Sequence, residues 1–397
     1  MKRIIVFAIL AMISKTFLFA QGYEIKVKIN NLSSQEIMLG HHWNDKLYPD
    51  DTIKLDKKGQ GVFKGKKSLH GGMYFIFMPN KTYFDIMIGD NQTFSLETDT
   101  VDYGKNTKFK NSPENDAFYL YQNFIIERQK IGKELDAKRK DAKDEKEKTE
   151  INKKLEDLGK EVKDFAWKLI EENKNNIFGQ FLKATQDVKI PDPPKDANGK
   201  ITDSLFQYRF YRSHYFDNFD FTNPRLLYTP IYEEKIKTYI EKVIPQIPDT
   251  IIKECDMLIE GTRKNNDLFK YMLLSLFNHY ASSQIMGFDA IYIHLGEKYY
   301  IPEATWSDTA FINKLKDRVK KIKPLLLGKT APNIKMLWVP KEHFIQAKTD
   351  TVAANNPHAG TFIDLHNSIK SKYTILVFWE SDCGHCKKQI PQLHEVY

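Results

Sequence analysis

From Tyr23 to Asn30 apolar and polar residues alternate with period two, the pattern of a strand with one buried face. Further strand-like runs occupy Glu36–Leu39, Thr52–Leu55, Gly61–Gly65, Met73–Met78, Tyr83–Ile88 and Thr93–Glu97. Lys58-Gly59, Gly71-Gly72, Pro79-Asn80-Lys81 and Gly89-Asp90-Asn91 punctuate them, so the spacing predicts a compact antiparallel β-sandwich over residues 21–104. Inside it, His41-His42-Trp43 has no third metal ligand at a recognisable spacing and reads as structural.

After Lys110-Asn111-Ser112-Pro113 the period changes to three and four. Pro113 suits a first helical turn, and few helix breakers follow before Asn173. Ile151, Leu155, Leu158, Val162, Phe165 and Leu169 line one helical face, which is expected to pack as a hairpin against Leu120, Phe124, Ile131 and Leu135. The charged stretch Asp136–Glu147 would form its tip. Beyond the loop at Pro191-Asp192-Pro193-Pro194 comes an aromatic segment, Tyr208 to Phe219, continuing through Asn223-Pro224 to Pro230; its rings are expected mostly in a core. Helical patterns continue over Ile231–Pro245, Asp249–Gly261, Asp267–Ile285 and Asp308–Ile322, giving an all-α domain over 105–326. Cys255 falls among them as a small buried hydrophobe, and His279 and His294 read as packed or surface residues.

The chemistry concentrates near the C-terminus. Residues 373–378, Tyr-Thr-Ile-Leu-Val-Phe, predict a buried parallel strand, followed by a polar turn and a helix opening at Cys383. Unpaired N–H groups and the macrodipole at a helix N-terminus stabilise a thiolate, which makes Cys383 the expected nucleophile. Cys386, three residues on, shares nearly the same face and is placed to resolve a mixed disulfide. Gly384 lets a substrate backbone approach, and His385 adds a polarisable group that favours the thiolate. Asp382 acts in the opposite direction by like-charge repulsion. A structural zinc site would need four ligands, and only His394 and the distant Cys255 could join the pair. Haem attachment would need His where Lys387 stands. An inert structural disulfide remains as an alternative.

Phe378-Trp379 with Trp379 four residues before the first cysteine, the Cys-Gly-His-Cys tetrapeptide, and Pro391 five residues after the second together resemble the thioredoxin superfamily, and the tetrapeptide resembles that of protein disulfide isomerases. The chain departs from thioredoxin at Asp382, where Trp is usual, and at Val377, where a buried Asp is usual. Gly328-Lys329-Thr330-Ala331-Pro332 resembles the start of thioredoxin-like domains of the thiol-reductase or alkyl-hydroperoxide-reductase type. The aromatic segment and the sandwich resemble a helical domain of unknown function and an N-terminal module that precede such domains in exported proteins of some Gram-negative bacteria. The resemblance implies a multidomain chain: antiparallel β-sandwich, central all-α domain with a long helical hairpin, and a partial α/β thioredoxin-like fold over 327–397. It also implies a further strand, a cis-proline loop, a hairpin and a closing helix after the first helix. Tyr397 is reached before these, so a fragment of a longer protein with weak activity of its own is expected.

Met1-Lys2-Arg3, the apolar stretch from Ile4 to Ile13 and the segment ending at Ala20 read as a secretory signal over residues 1–20, and export to the periplasm or cell envelope would suit disulfide chemistry. Across 397 residues, 41% hydrophobic content is enough for several cores. The net charge of +8 is interleaved with Glu and Asp through residues 127–174, which argues against nucleic-acid binding. The expected function is an exported thiol-disulfide oxidoreductase whose partners are protein thiols or disulfides and a thiol that donates or accepts electrons. No cofactor, no metal and no stable membrane insertion after signal cleavage are expected. The competing reading is a non-enzymatic envelope scaffold with an inert C-terminal segment.

Overall fold

The computed structural model describes residues 22–338, 361–380 and 382–396; the signal segment expected over 1–20 lies outside them. The chain divides after Thr309 into two units. In the first, β1 (Tyr23–Asn30), β2 (Glu36–Trp43), β3 (Lys46–Lys54), β4 (Gln60–Gly65), β5 (Gly72–Phe77), β6 (Tyr83–Ile88), β7 (Thr93–Asp99) and β8 (Lys108–Lys110) form two four-stranded sheets, ordered β4-β1-β7-β8 and β3-β2-β5-β6. Alternation drives the assembly: Ile25, Val27 and Ile29 turn inward from β1 while Lys26 and Lys28 point out. They meet Ile37, Leu39, Tyr74, Ile76, Ile86 and Leu96 in a shared core.

The sandwich is not wholly antiparallel as expected, because β1 and β7 pair in parallel, Glu24 opposite Thr93 through Asn30 opposite Asp99. Such a pairing joins strands far apart in sequence and leaves no mark on local alternation. The β2–β3 hairpin is also longer than its hydrophobic runs. Lys46 to Asp50 is exposed, Leu47 and Tyr48 included, and contains Pro49, which an edge strand such as β3 tolerates. Turn residue Asn44 takes the left-handed conformation at φ 56°.

Strand β5 is buried along nearly its whole length, because its second face is covered by helices. The Met73 N–H donates to the Tyr228 carbonyl at 2.8 Å. A side chain at Gly72 would bring a β-carbon to 2.8 Å from that same carbonyl, so the close approach requires glycine. The other edge strand, β6, is completed by a side chain. The amide of Asn115 accepts from the Met87 N–H and donates to the Met87 carbonyl, both at 2.7 Å, standing where a neighbouring strand would.

The helix Pro113–Asp141 begins with Glu114 and Asp116 and ends with Lys138, Arg139 and Lys140, matching its macrodipole at both ends. After a short break, Asp144 caps the returning helix Glu145–Glu172 by accepting from the Glu147 N–H at 2.8 Å. The two form the expected hairpin. Phe124 stacks on Phe165 at 4.0 Å between ring centroids, and Arg128 lies over Phe124 while bonding Glu161 at 2.6 Å. Leu120 and Ile131 stay exposed instead of joining the seam.

Further helices run Ile177–Ala184, Phe206–His214, Pro224–Leu227, Ile231–Thr238, Pro248–Gly261, Asn266–Ala281 and Asp289–Leu295. Single π turns at Tyr239–Val243 and Gly296–Tyr300 extend two of them. These turns bring tyrosines to acids on one helix: Tyr239 donates to Glu254 at 2.7 Å and Tyr299 to Asp256 at 2.9 Å. Cys255, between those acids, is fully buried, and burial pushes its thiol far up from the ordinary value. The aromatic segment is only partly core: no residue of Phe206–His214 is buried, whereas Tyr215 and Phe219 are.

The second unit holds the helix Thr309–Ile322, a two-stranded antiparallel sheet of β9 (Lys335–Trp338) and β10 (Thr361–Asp364), a short helix Leu365–Ser368 and a final helix Gly384–Val396. Residues 373–378, expected as a buried strand, form none here. Ile375 is 79% exposed and Phe378 80%. The run has the composition of a strand, but a strand needs a partner's N–H and C=O groups, and among the described residues none pairs with it.

Candidate functional site: the dithiol at the final helix

Cys383 stands at the position that precedes the helix Gly384–Val396, and its carbonyl accepts the first helical bond, from the Lys387 N–H at 3.1 Å. Its own N–H donates back to the Glu380 carbonyl at 3.2 Å, which closes the turn. From there the Cys383 sulfur accepts the N–H of Cys386 at 3.3 Å. This is how a serine or aspartate oxygen caps a helix, here carried out by sulfur. The Cys386 Sγ lies 2.6 Å from the Cys383 Sγ, with both cysteines half-buried and no disulfide between them. The nucleophile and resolving thiols expected from the spacing are therefore side by side.

The Cys383 thiol is held below the ordinary cysteine value. The largest cause is the hydrogen bond from the Cys386 thiol, followed by the Cys386 N–H; limited desolvation opposes them and the His385 N–H adds to the lowering. His385 thus acts on the sulfur through its backbone, whereas the sequence pointed to its ring. The main stabiliser, Cys386, was visible in the sequence only as the resolving thiol. The signal was nonetheless present, since the spacing of the pair carries the third helical N–H to the capping side chain.

The supporting residues separate into those beside the sulfurs and those apart from them. Among the described residues no neighbouring side chain or loop atom comes within 4 Å of where a β-carbon on Gly384 would sit. Pro391 lies inside the helix and removes the N–H that would have bonded the Lys387 carbonyl. Trp379 is 61% exposed in the extended stretch before the turn.

The other candidates resolve as structural pairs. His41 Nδ1 meets Asp50 at 2.8 Å, His42 Nε2 meets Asp85 at 2.8 Å, and His294 Nε2 meets Asp256 at 2.8 Å. Among the described residues no group of three His, Cys, Asp or Glu side chains could hold a metal ion, and no helix is long and apolar enough to cross a membrane.

Fold and site together define a multidomain chain in which a β-sheet region precedes a helical region, with a dithiol beyond both. Residues 23–118 match the family model described as a domain of unknown function, DUF4369, and residues 139–323 match another domain of unknown function, DUF5106. The cysteine pair lies outside both matches. No curated protein and no solved structure matches the chain.

Proposed function

We propose that this chain takes part in thiol-disulfide exchange outside the cytosol, with Cys383 as nucleophile and Cys386 as resolving thiol, and that residues 327–397 belong to a thioredoxin-like domain. The observation that carries the reading is the Cys383 sulfur at the start of the final helix, accepting the Cys386 N–H, with a second thiol 2.6 Å away. The Cys383 thiolate attacks a substrate disulfide and expels one substrate thiolate; Cys386 then attacks the mixed disulfide and expels the second, leaving the substrate reduced and the pair oxidised. Run backwards, the same steps oxidise a dithiol substrate. Exposed apolar residues from Tyr373 to Trp379 fit a strand that pairs within a larger sheet, and Met1 to Ala20 has the layout of an export signal.

Equilibration with glutathione buffers, read by mass spectrometry after acid quench, tests the reading. The pair is expected to cycle with a midpoint nearer about −180 mV, as in disulfide isomerase, than about −270 mV, as in thioredoxin. A pair that stays in one state over the whole range would support the inert-scaffold reading instead.

A further inference from the structure

Far in sequence from the dithiol, a cleft of about 640 Å³ opens between the β2–β3 turn, the helix Ile231–Thr238 with its π extension, and the helix Asn266–Ala281. Its size falls within the range of small-ligand sites. Trp43, Ile236, Ile240 and Leu274 supply apolar wall. The Trp43 ring is fixed edge-on against Tyr228 at 5.1 Å and Tyr271 at 6.1 Å.

Two residues of the lining each carry a buried polar atom that is unmatched. Asn44, only 2% exposed, has no hydrogen-bond partner for its Oδ1, and the hydroxyl of Tyr271 has none either. The Ser275 hydroxyl comes near Tyr271 without reaching bonding geometry. A buried polar group left unpaired is destabilising, so two behind one cleft wall are a standing cost.

Charge narrows what could satisfy them. Asp45, Glu233 and Asp267 are matched by Lys46, Lys237 and Lys270 around the cleft, and burial holds the His279 imidazole below its usual range and so towards its neutral form. A ligand of strong net charge gains little there. A hydroxyl both donates and accepts, so neighbouring hydroxyls can give to the Asn44 oxygen and pair with the Tyr271 hydroxyl, while a sugar ring's apolar face suits Trp43.

We propose that this cleft binds a short neutral glycan of about two or three sugar rings, with Asn44 and Tyr271 turning into the cleft to bond its hydroxyls and Trp43 packing against a ring. The inference is independent of the dithiol chemistry.

Saturation-transfer NMR and calorimetry on the full chain, with maltotriose, cellotriose and triacetylchitotriose as probes and trialanine as the zwitterionic comparison, test it. At least one trisaccharide is expected to bind, and Tyr271→Phe to weaken it roughly 5- to 10-fold, the loss of one hydrogen bond. Without ligand, Tyr271→Phe should melt no lower than the parent, since it removes an unpaired hydroxyl. The proposal is overturned if no trisaccharide binds at millimolar concentration, if trialanine binds in preference, if Tyr271→Phe binds sugar as tightly as the parent, or if that variant alone loses stability.

Discussion

Replacing Cys383 by serine should reduce disulfide-exchange turnover to the uncatalysed background, whereas Cys386→Ser should stop the cycle one step later. The asymmetry follows from position. Only the Cys383 sulfur accepts the Cys386 N–H and sits before the first helical turn, so only it gains from the amide dipoles that favour the thiolate. A serine hydroxyl in its place is not ionised at neutral pH and cannot displace a thiolate from sulfur. Cys386→Ser keeps the attacking sulfur and leaves a hydroxyl that can still donate to it where the thiol did. Mixed disulfides with substrate should therefore accumulate on Cys383 and be visible as covalent adducts on non-reducing gels. Adducts forming equally on Cys386 in the Cys383→Ser variant would reverse the assignment of roles.

The second large effect concerns the β-sheet module. Asn115→Ala should lower its stability by on the order of 3 kcal/mol, because the Met87 N–H and carbonyl at the β6 edge would both lose their partner in a buried setting. Asn115 is fully buried, so water cannot replace the amide without opening the module. Asn115→Asp separates this pairing from simple packing. An ionised carboxylate can accept from the Met87 N–H but cannot donate to its carbonyl, while a protonated carboxyl does both. The deficit of the Asp variant should shrink as pH falls through the carboxyl range. Urea midpoints at several pH values measure this, and a pH-independent loss below about 1 kcal/mol would mean that the amide is not closing the sheet edge.

The limits of β1 were legible because it buries one face, and period-two burial follows directly from the pleat; those of β6, whose Ile86, Met87 and Ile88 are all buried, were legible from the turn residues that bound its apolar run. Strand β8 was not: Lys108-Phe109-Lys110 carries one apolar residue, and its place beside β7 is set by Phe109 packing near Phe94 and Tyr119. The parallel pairing of β1 with β7 likewise depends on contacts across more than sixty intervening residues, which no local window contains. The helical hairpin was legible down to its charged tip, since helix-forming residues and capping Asp144 mark both arms. At the dithiol, spacing placed the two thiols together at the start of a helix, while the capping of that helix by the Cys383 sulfur was not read from the sequence. The stretch 373–378 shows the limit of composition, because its apolar, β-branched residues state a preference that only a pairing strand can realise.

The rate of iodoacetamide alkylation of Cys383 as a function of pH, followed residue by residue in the reduced chain by mass spectrometry, tests the central claim most directly. Only the thiolate reacts, so the rate rises with pH through the thiol's pKa. A sulfur stabilised by the Cys386 thiol and the first helical amides should show its midpoint below the value of about 8.5 for free cysteine, with Cys386→Ala, which leaves no donor, moving that midpoint upward. A midpoint at or above that of free cysteine would contradict the account.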